Sequence, residues 1–393
     1  MAQGFSKRNS NRSVVQDPHV AASGPNRFAR LPPSLARLLL LLLAGLVALA
    51  AVSPAQMRMD GQGSGAPDKA ERANDDRDLV LYDRIIDRLR QGDGYYQAAV
   101  TEHRALSYPL KPGLTVRLPT LAKFQSWLPV PRNPAQRGMP ERAIAIMLFA
   151  VILIGWQRRL SEEVNSPLLR SSGLVLLAIG GHIATIRYYL VLHELWAGAF
   201  LALSLAYYRP EKGKWAISWL AAAAALAIRE LALPFVLLMA AQAIWCRRWR
   251  EAWAWVALVA LFAVALAFHL KAVAALVRPD DLEGLSWFTF RGFEGWITTI
   301  VQSSPLFYLP IMLSGPLVVL MVFGWAAWRT QIGTFSTLLF AGYGLAFMIA
   351  GRAENWYWGM IIAPTMWLGL AFVPMGLRGL LQASFAGTGC RAG

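Results

Sequence analysis

The sequence is short of cysteine and of acid. Only Cys246 and Cys390 occur among 393 residues, too few for a disulfide framework, and both fall on the cytoplasmic side of the topology derived below, where disulfides are rare. Charged residues make up 16% of the chain, against roughly 25% in a soluble domain. The 23 acidic residues are outnumbered by 38 basic ones. No internal repeat is present, and no polar segment is long enough to fold as a soluble domain. The five histidines are scattered and no paired-carboxylate motif stands out, so neither metal nor cofactor is expected.

What is present is apolar and aromatic. Hydrophobic residues reach 56%, with 16 Trp and 18 Phe, as fits a bilayer core bounded by aromatic belts. A net charge of +15 would suit nucleic acid if the charges formed a patch. Instead most Lys and Arg lie at the ends of apolar runs, where they set topology and meet anionic head groups. The expected partners are membrane lipids and not nucleic acid.

The pattern predicts an all-α polytopic membrane protein with about ten transmembrane helices. Residues 1–33 read as a disordered basic cytoplasmic tail, 34–376 as the membrane-integral domain and 377–393 as a second cytoplasmic tail. The first span, 34–53, ends in small residues that would suit signal-peptide cleavage, but its long basic leader favours an uncleaved anchor. Further spans are read near 142–157, 171–186, 190–208, 215–229, 231–246, 253–270, 305–326, 333–350 and 357–376. With the N-terminus cytoplasmic, every second turn is basic: Arg158 and Arg159, then Arg209, Lys212 and Lys214, then Arg247, Arg248 and Arg250, then Arg329, then Arg378. That alternation is what the positive-inside rule requires. Arg187, Arg229 and Arg352 lie at the opposite boundaries, where the rule does not call for them, and an ionisable group at such depth usually faces a cavity or a partner. Arg187 reads as a head-group anchor.

Most of the conspicuous acids sit in the first extracytoplasmic loop, 54–140, among them Asp60, Asp68, Glu71, Asp75, Asp76, Asp78, Asp83, Asp87, Asp93 and Glu102. Within it Leu79, Tyr82, Ile85, Ile86 and Leu89 recur at helical spacing, which predicts an amphipathic helix along the membrane surface over 79–90. Asp78 would be its N-cap and Gly92 and Gly94 its stop. On these grounds Asp78 reads first as a cap, and Asp83 and Asp87 as surface partners of neighbouring arginines. Tyr95 and Tyr96 suit either stacking on a sugar or anchoring in the belt. A second loop, 271–304, carries Trp287, Phe288, Phe290, Phe293 and Trp296. It reads as an aromatic belt, or as an interfacial element covering a lipid entrance.

The run DLVLYDRIIDRLRQGDGYY, followed by Tyr108-Pro109 and by Arg117-Leu118-Pro119-Thr120, resembles the first periplasmic loop of bacterial integral-membrane glycosyltransferases of the C superfamily. His193-Glu194 opening a span, Arg229-Glu230 between two spans and the turn GRAENWYWGMIIAP add to the likeness. The likeness is scattered over about 34–376, and each motif is short. The crowding of Asp75, Asp76, Asp78 and Asp83 departs from a single catalytic acid.

The resemblance implies transfer of a sugar from a polyprenyl-phosphate donor to an extracytoplasmic acceptor (a cell-envelope glycan, lipid or protein) with inversion, in the bacterial inner membrane with both termini cytoplasmic. It implies a loop carboxylate as general base, with Asp78 preferred and Asp83 second. Arg229, Glu230 and Arg352 would hold the donor phosphate, and His193, Glu194, Tyr95 and Tyr96 the acceptor or sugar. For Arg229–Glu230 a local ion pair closing the turn is the plain alternative, and for His193 a satisfied polar group at a span's end. Two other functions fit the composition. A flippase or transporter of a lipid-linked sugar would place polar groups near the midplane, where His182 is the main candidate. A non-enzymatic assembly factor would need no boundary arginines.

Overall fold

The fold was read from a computed structural model that describes residues 26–59, 69–130 and 138–386. No β-strand forms among the described residues. The first helices are α1 (Pro33–Met59), α2 (Lys69–Arg90), α3 (Tyr95–Ala105) and α4 (Pro119–Ser126). The central ones are α5 (Met139–Glu163), α6 (Pro167–Gly181), α7 (His193–Tyr207), α8 (Ala216–Ile228), α9 (Leu233–Trp245) and α10 (Trp249–Ala274). The chain closes with α11 (Gly292–Gln302), α12 (Ile311–Ala327), α13 (Gln331–Ile349), α14 (Ala363–Met366) and α15 (Val373–Phe385).

Among the described residues, six helical segments are long and apolar enough to cross a bilayer: Pro33–Val52, Met139–Glu163, Pro167–Thr185, Trp249–Ala274, Gln331–Ile349 and Ala363–Phe385. The chain is thus a polytopic helical membrane protein. The other apolar helices are short. At 1.5 Å per residue, the 13 residues of α8 and the 13 of α9 span about 20 Å, less than the roughly 30 Å of a hydrocarbon core. Their shared end, at Arg229–Ala232, is therefore recessed below the tips of the longer helices. The first loop fills that recess.

The loop has a small core of its own, in which Leu81, Ile85 and Ile86 of α2 pack with Tyr95, Ala98 and Ala99 of α3, Val116, Ala122 of α4 and Val273 of α10. The apolar face of α2 is thus spent on protein, and the expectation of a helix lying on the membrane surface is corrected. The partner surface comes from the same loop, in α3 and α4. The 26-residue α10 outruns its neighbours, and its last turns carry His269 and Val273 up into the loop. There His269 Nε2 meets the Val116 carbonyl at 3.1 Å and Nδ1 meets the Tyr96 hydroxyl at 3.3 Å.

Other boundaries also move. Because α2 begins at Lys69, Asp78 lies inside a helix and is not its N-cap. Residues 26–33 of the expected disordered tail are docked: Phe28 stacks on Phe323 at 5.3 Å, and Asn26 Nδ2 donates to the Met375 carbonyl at 2.6 Å. Residues 1–25, and 387–393 with Cys390, lie outside the described residues. The expected tail from 377 is helical through Phe385. In the second loop, α11 buries Trp296, Ile297 and Ile300 against the bundle, while Leu282, Leu285, Phe288 and Phe290 stay exposed as an interfacial element would be. Close packing beneath the site depends on Gly198 of α7, where a Cβ would strike the Met360 backbone.

Candidate functional site

The site forms where the recessed helix ends meet the loop. Arg229 leaves α8 in extended conformation (φ −148°, ψ 122°), and a short 3-10 turn, Glu230–Ala232, leads into α9. Pro234 in the first turn of α9 suits this break, since its missing N–H lies where no helical bond is needed. Across the recess, Leu192 is extended and α7 starts at His193, which brings Glu194 under Arg229.

Arg229 is buried, at 1% exposure, and so is Glu194. Arg229 Nε donates to Glu194 Oε1 at 2.6 Å, and its Nη1 donates to the Glu230 carboxylate. Two carboxylates therefore enclose this guanidinium. The local pair expected with Glu230 is present, and Glu194 adds a second partner from a distant helix. An arginine saturated in this way is poorly placed to receive a phosphate, which counts against the donor role the resemblance gave it.

Arg117, to which no role was attached in the sequence, is the second guanidinium of the site. Its carbonyl accepts from Tyr95 Oη at 2.6 Å, and its Nη2 donates to Tyr357 Oη at 3.2 Å. It pairs with no carboxylate among the described residues. Burial opposes its charge, but Tyr82, Tyr357, Glu194 and Glu230 outweigh that and hold it well above its ordinary pKa. Its field is felt nearby: burial first, then Arg117, pushes His103 down to about 4.

His193 is buried at 2% exposure. It stacks at a tilt on Tyr82, with ring centroids 5.1 Å apart. Its Nε2 has no hydrogen-bond partner. Tyr82 belongs to α2, so the loop helix reaches the recess directly. The side chain of Asp78, one helical turn before Tyr82, lies outside the described residues.

The remaining expected residues go elsewhere. Asp83 meets Arg187 Nη2 at 3.5 Å, at the rim of a separate polar hollow shared with Arg90, Gln125 and Glu141. Arg187 is thus a protein-bound arginine and not simply a head-group anchor. Tyr95 is buried, and burial raises its hydroxyl pKa, so it positions the Arg117 strand and offers no ring for a sugar. Tyr96 packs edge-on against Tyr95 and beside His269. Arg352 bonds Glu354 at 2.7 Å and the Leu285 carbonyl at 3.2 Å. The last turn reaches the site through Asn355 and Tyr357 instead, Asn355 Nδ2 donating to Tyr357 Oη at 3.4 Å. His182 is exposed, not buried at the midplane.

An apolar groove of about 250 Å³ runs beside the recess. It is walled by Leu121 and Phe124 of α4, Ile144, Met147 and Val151 of α5, Trp196 and Phe200 of α7, and Ile228 of α8. Met147 and Val151 are exposed on the flank of a spanning helix, so the groove opens sideways toward lipid. Its lining includes Ile228, which precedes Arg229 in the chain, and Leu121 of α4, the helix that begins two residues after Arg117. Among the described residues, no group of three or more His, Cys, Asp or Glu converges as a metal site. No family model, curated protein or solved structure matches the chain.

Proposed function

We propose that the chain is a membrane glycosyltransferase that moves a sugar from a polyprenyl-phosphate donor to a cell-envelope acceptor (glycan, lipid or protein) outside the cytoplasm. The observation that carries this reading is the apolar groove opening toward lipid, one wall of which is α4, the helix that starts two residues after Arg117. Such a groove suits the hydrocarbon of a lipid-linked donor, and positive charge ahead of that helix suits a phosphate leaving group. The chain would sit in a bacterial inner membrane with both termini cytoplasmic, in line with its basic turns.

In this reading a loop carboxylate takes the proton of an acceptor hydroxyl. The acceptor oxygen bonds to the anomeric carbon as its bond to the phosphate oxygen breaks, with inversion, and polyprenyl phosphate leaves. Asp78 is the preferred base, because α2 carries it one turn before Tyr82, which reaches His193. The buried Arg229–Glu194–Glu230 group fixes the helix ends that frame the reacting centre.

The test is purified protein in lipid nanodiscs, incubated with a panel of polyprenyl-phosphate sugars and envelope acceptors, with products read by mass. Release of polyprenyl phosphate in step with glycosylated product is expected, and Asp78→Asn should slow it about 10²- to 10⁴-fold, as loss of a general base does. Full rate in Asp78→Asn together with loss in Asp83→Asn would transfer the base to Asp83. Translocation of the intact donor without turnover would favour a flippase instead.

A further inference from the structure

The two guanidinium groups of the recess differ in what they have left to offer. Arg229 spends its fork on Glu194 and Glu230 and is shut from solvent. An anion entering there would have to displace a buried carboxylate and leave it uncompensated, at a cost of several kcal/mol. Arg117 is only partly buried. Of the five N–H donors a guanidinium carries, one is used among the described residues, on the Tyr357 hydroxyl.

Arg117 is also held in place from behind. Tyr95 Oη anchors its carbonyl, and His269 takes the neighbouring Val116 carbonyl. Two side chains from two helices, α3 and α10, thus fix the backbone on which this one charge stands. Two residues later α4 begins, and its Leu121 and Phe124 form the wall of the apolar groove. The charge therefore stands directly ahead of the helix that forms one wall of the apolar channel.

We propose that Arg117, set against Tyr357, is the residue that grips the phosphate of a lipid whose chain lies in the groove between α4, α5 and α7, and that Arg229 serves only as the structural cation of the recess. The ligand class is a phosphate ester carried on a long isoprenoid or acyl chain. This rests on the lipid-linked donor reading of the same site. The guanidinium makes paired N–H contacts to phosphate oxygens that an ammonium cannot reproduce, while the groove supplies affinity for the chain.

The experiment uses the full-length protein in nanodiscs and three probes: a short-chain polyprenyl phosphate, the matching uncharged polyprenol, and inorganic phosphate. Wild type should prefer the phosphate lipid to the alcohol by about tenfold to a hundredfold, the size of a lost charge-assisted hydrogen bond. Arg117→Gln should remove that preference while polyprenol binding stays unchanged. Arg117→Lys should restore only part of it, and Tyr357→Phe should weaken it by less. These last two conservative variants carry the test should Arg117→Gln fail to fold. A folded Arg117→Gln protein that keeps the full phosphate preference would overturn the assignment, as would phosphate preference unaltered in both conservative variants. Inorganic phosphate binding as tightly as the lipid would overturn the role of the groove. Phosphate preference that depends on Arg117, in a protein that transfers no sugar, would instead remove the glycosyltransferase reading and leave Arg117 in place. Sugar transfer with an undiminished preference in Arg117→Gln would do the reverse.

Discussion

The two ends of the helical bundle handle charge in opposite ways. At the basic end Arg159 and Arg248 each find an acidic partner. Arg159 bonds Glu163 at 2.6 Å and also the Tyr208 carbonyl, while Arg248 donates to Tyr208 Oη at 2.7 Å and pairs with Glu251 at 2.8 Å. Tyr208 Oη in turn donates to Glu251 Oε1 at 2.6 Å. At that end each of these guanidinium groups has a carboxylate beside it. At the loop end Arg229 is matched by carboxylates in the same manner, but Arg117 has none beside it among the described residues and keeps donors in reserve. Topological arginines can be neutralised locally, because their task ends at fixing the helix ends. A recess that keeps polar capacity unspent costs stability, and such a cost is typical of a place that receives something else.

Three substitutions would break or sharpen this contrast. The largest effect is expected at the buried pair. Glu194→Gln leaves Arg229 short of a counter-charge, and breaking a buried ion pair from one side costs about 3–5 kcal/mol, visible as a large drop in melting temperature in detergent. Combining Arg229→Met with Glu194→Leu and Glu230→Gln, so that no carboxylate is left without its cation, should recover most of that stability, since apolar replacement of a buried ionic group is often neutral. A triple variant as unstable as the single one would show that the group contributes more than mutual neutralisation.

A smaller loss is expected at the basic end. Glu251→Gln weakens the acceptor shared by Tyr208, Arg248 and Trp255 and should cost about 1–3 kcal/mol, with no change in phosphate-lipid binding. Altered lipid binding would mean that the two ends are coupled through α10.

The smallest effect concerns the strap between the two loops. Arg104 makes a two-pronged contact with Asp281, Nε to Oδ1 at 2.6 Å and Nη2 to Oδ2 at 2.7 Å, and the Arg278 N–H adds a third bond. These contacts, led by the Arg104 hydrogen bonds, hold the Asp281 carboxyl well below the usual carboxylate range. A carboxyl whose folded pKa is depressed contributes its full stability above the unfolded value of about 3.9 and loses it as pH falls through the folded value. Wild type should therefore lose melting temperature more steeply than Asp281→Asn below about pH 4. Parallel pH profiles would show that the strap is not under load.

Some of this was legible from residues alone. Apolar runs bounded by arginines announced the spans, because a bilayer demands length and composition from each segment separately. The break at Arg229-Glu230 was visible as charge between two apolar runs. The role of Arg117 was not visible: it sits in a Pro-flanked stretch, and its importance comes from Tyr357, 240 positions later, and from Tyr95. Nothing in the sequence set it apart from the other arginines of the same loop, such as Arg84, Arg88, Arg90 and Arg104. The reading of α2 as a surface helix failed because periodicity reports that a face is apolar, not what covers it, and the cover came from α3 and α4.

The sequence by itself determined that this chain lives in a membrane, where most of its helices lie and which end carries the basic turns, since these are properties of local composition. Tertiary structure alone decided which arginine is enclosed and which stays open. That distinction depends on carboxylates and phenols delivered by α2, α7 and the 353–361 turn, and no local pattern can encode a meeting of segments so far apart along the chain.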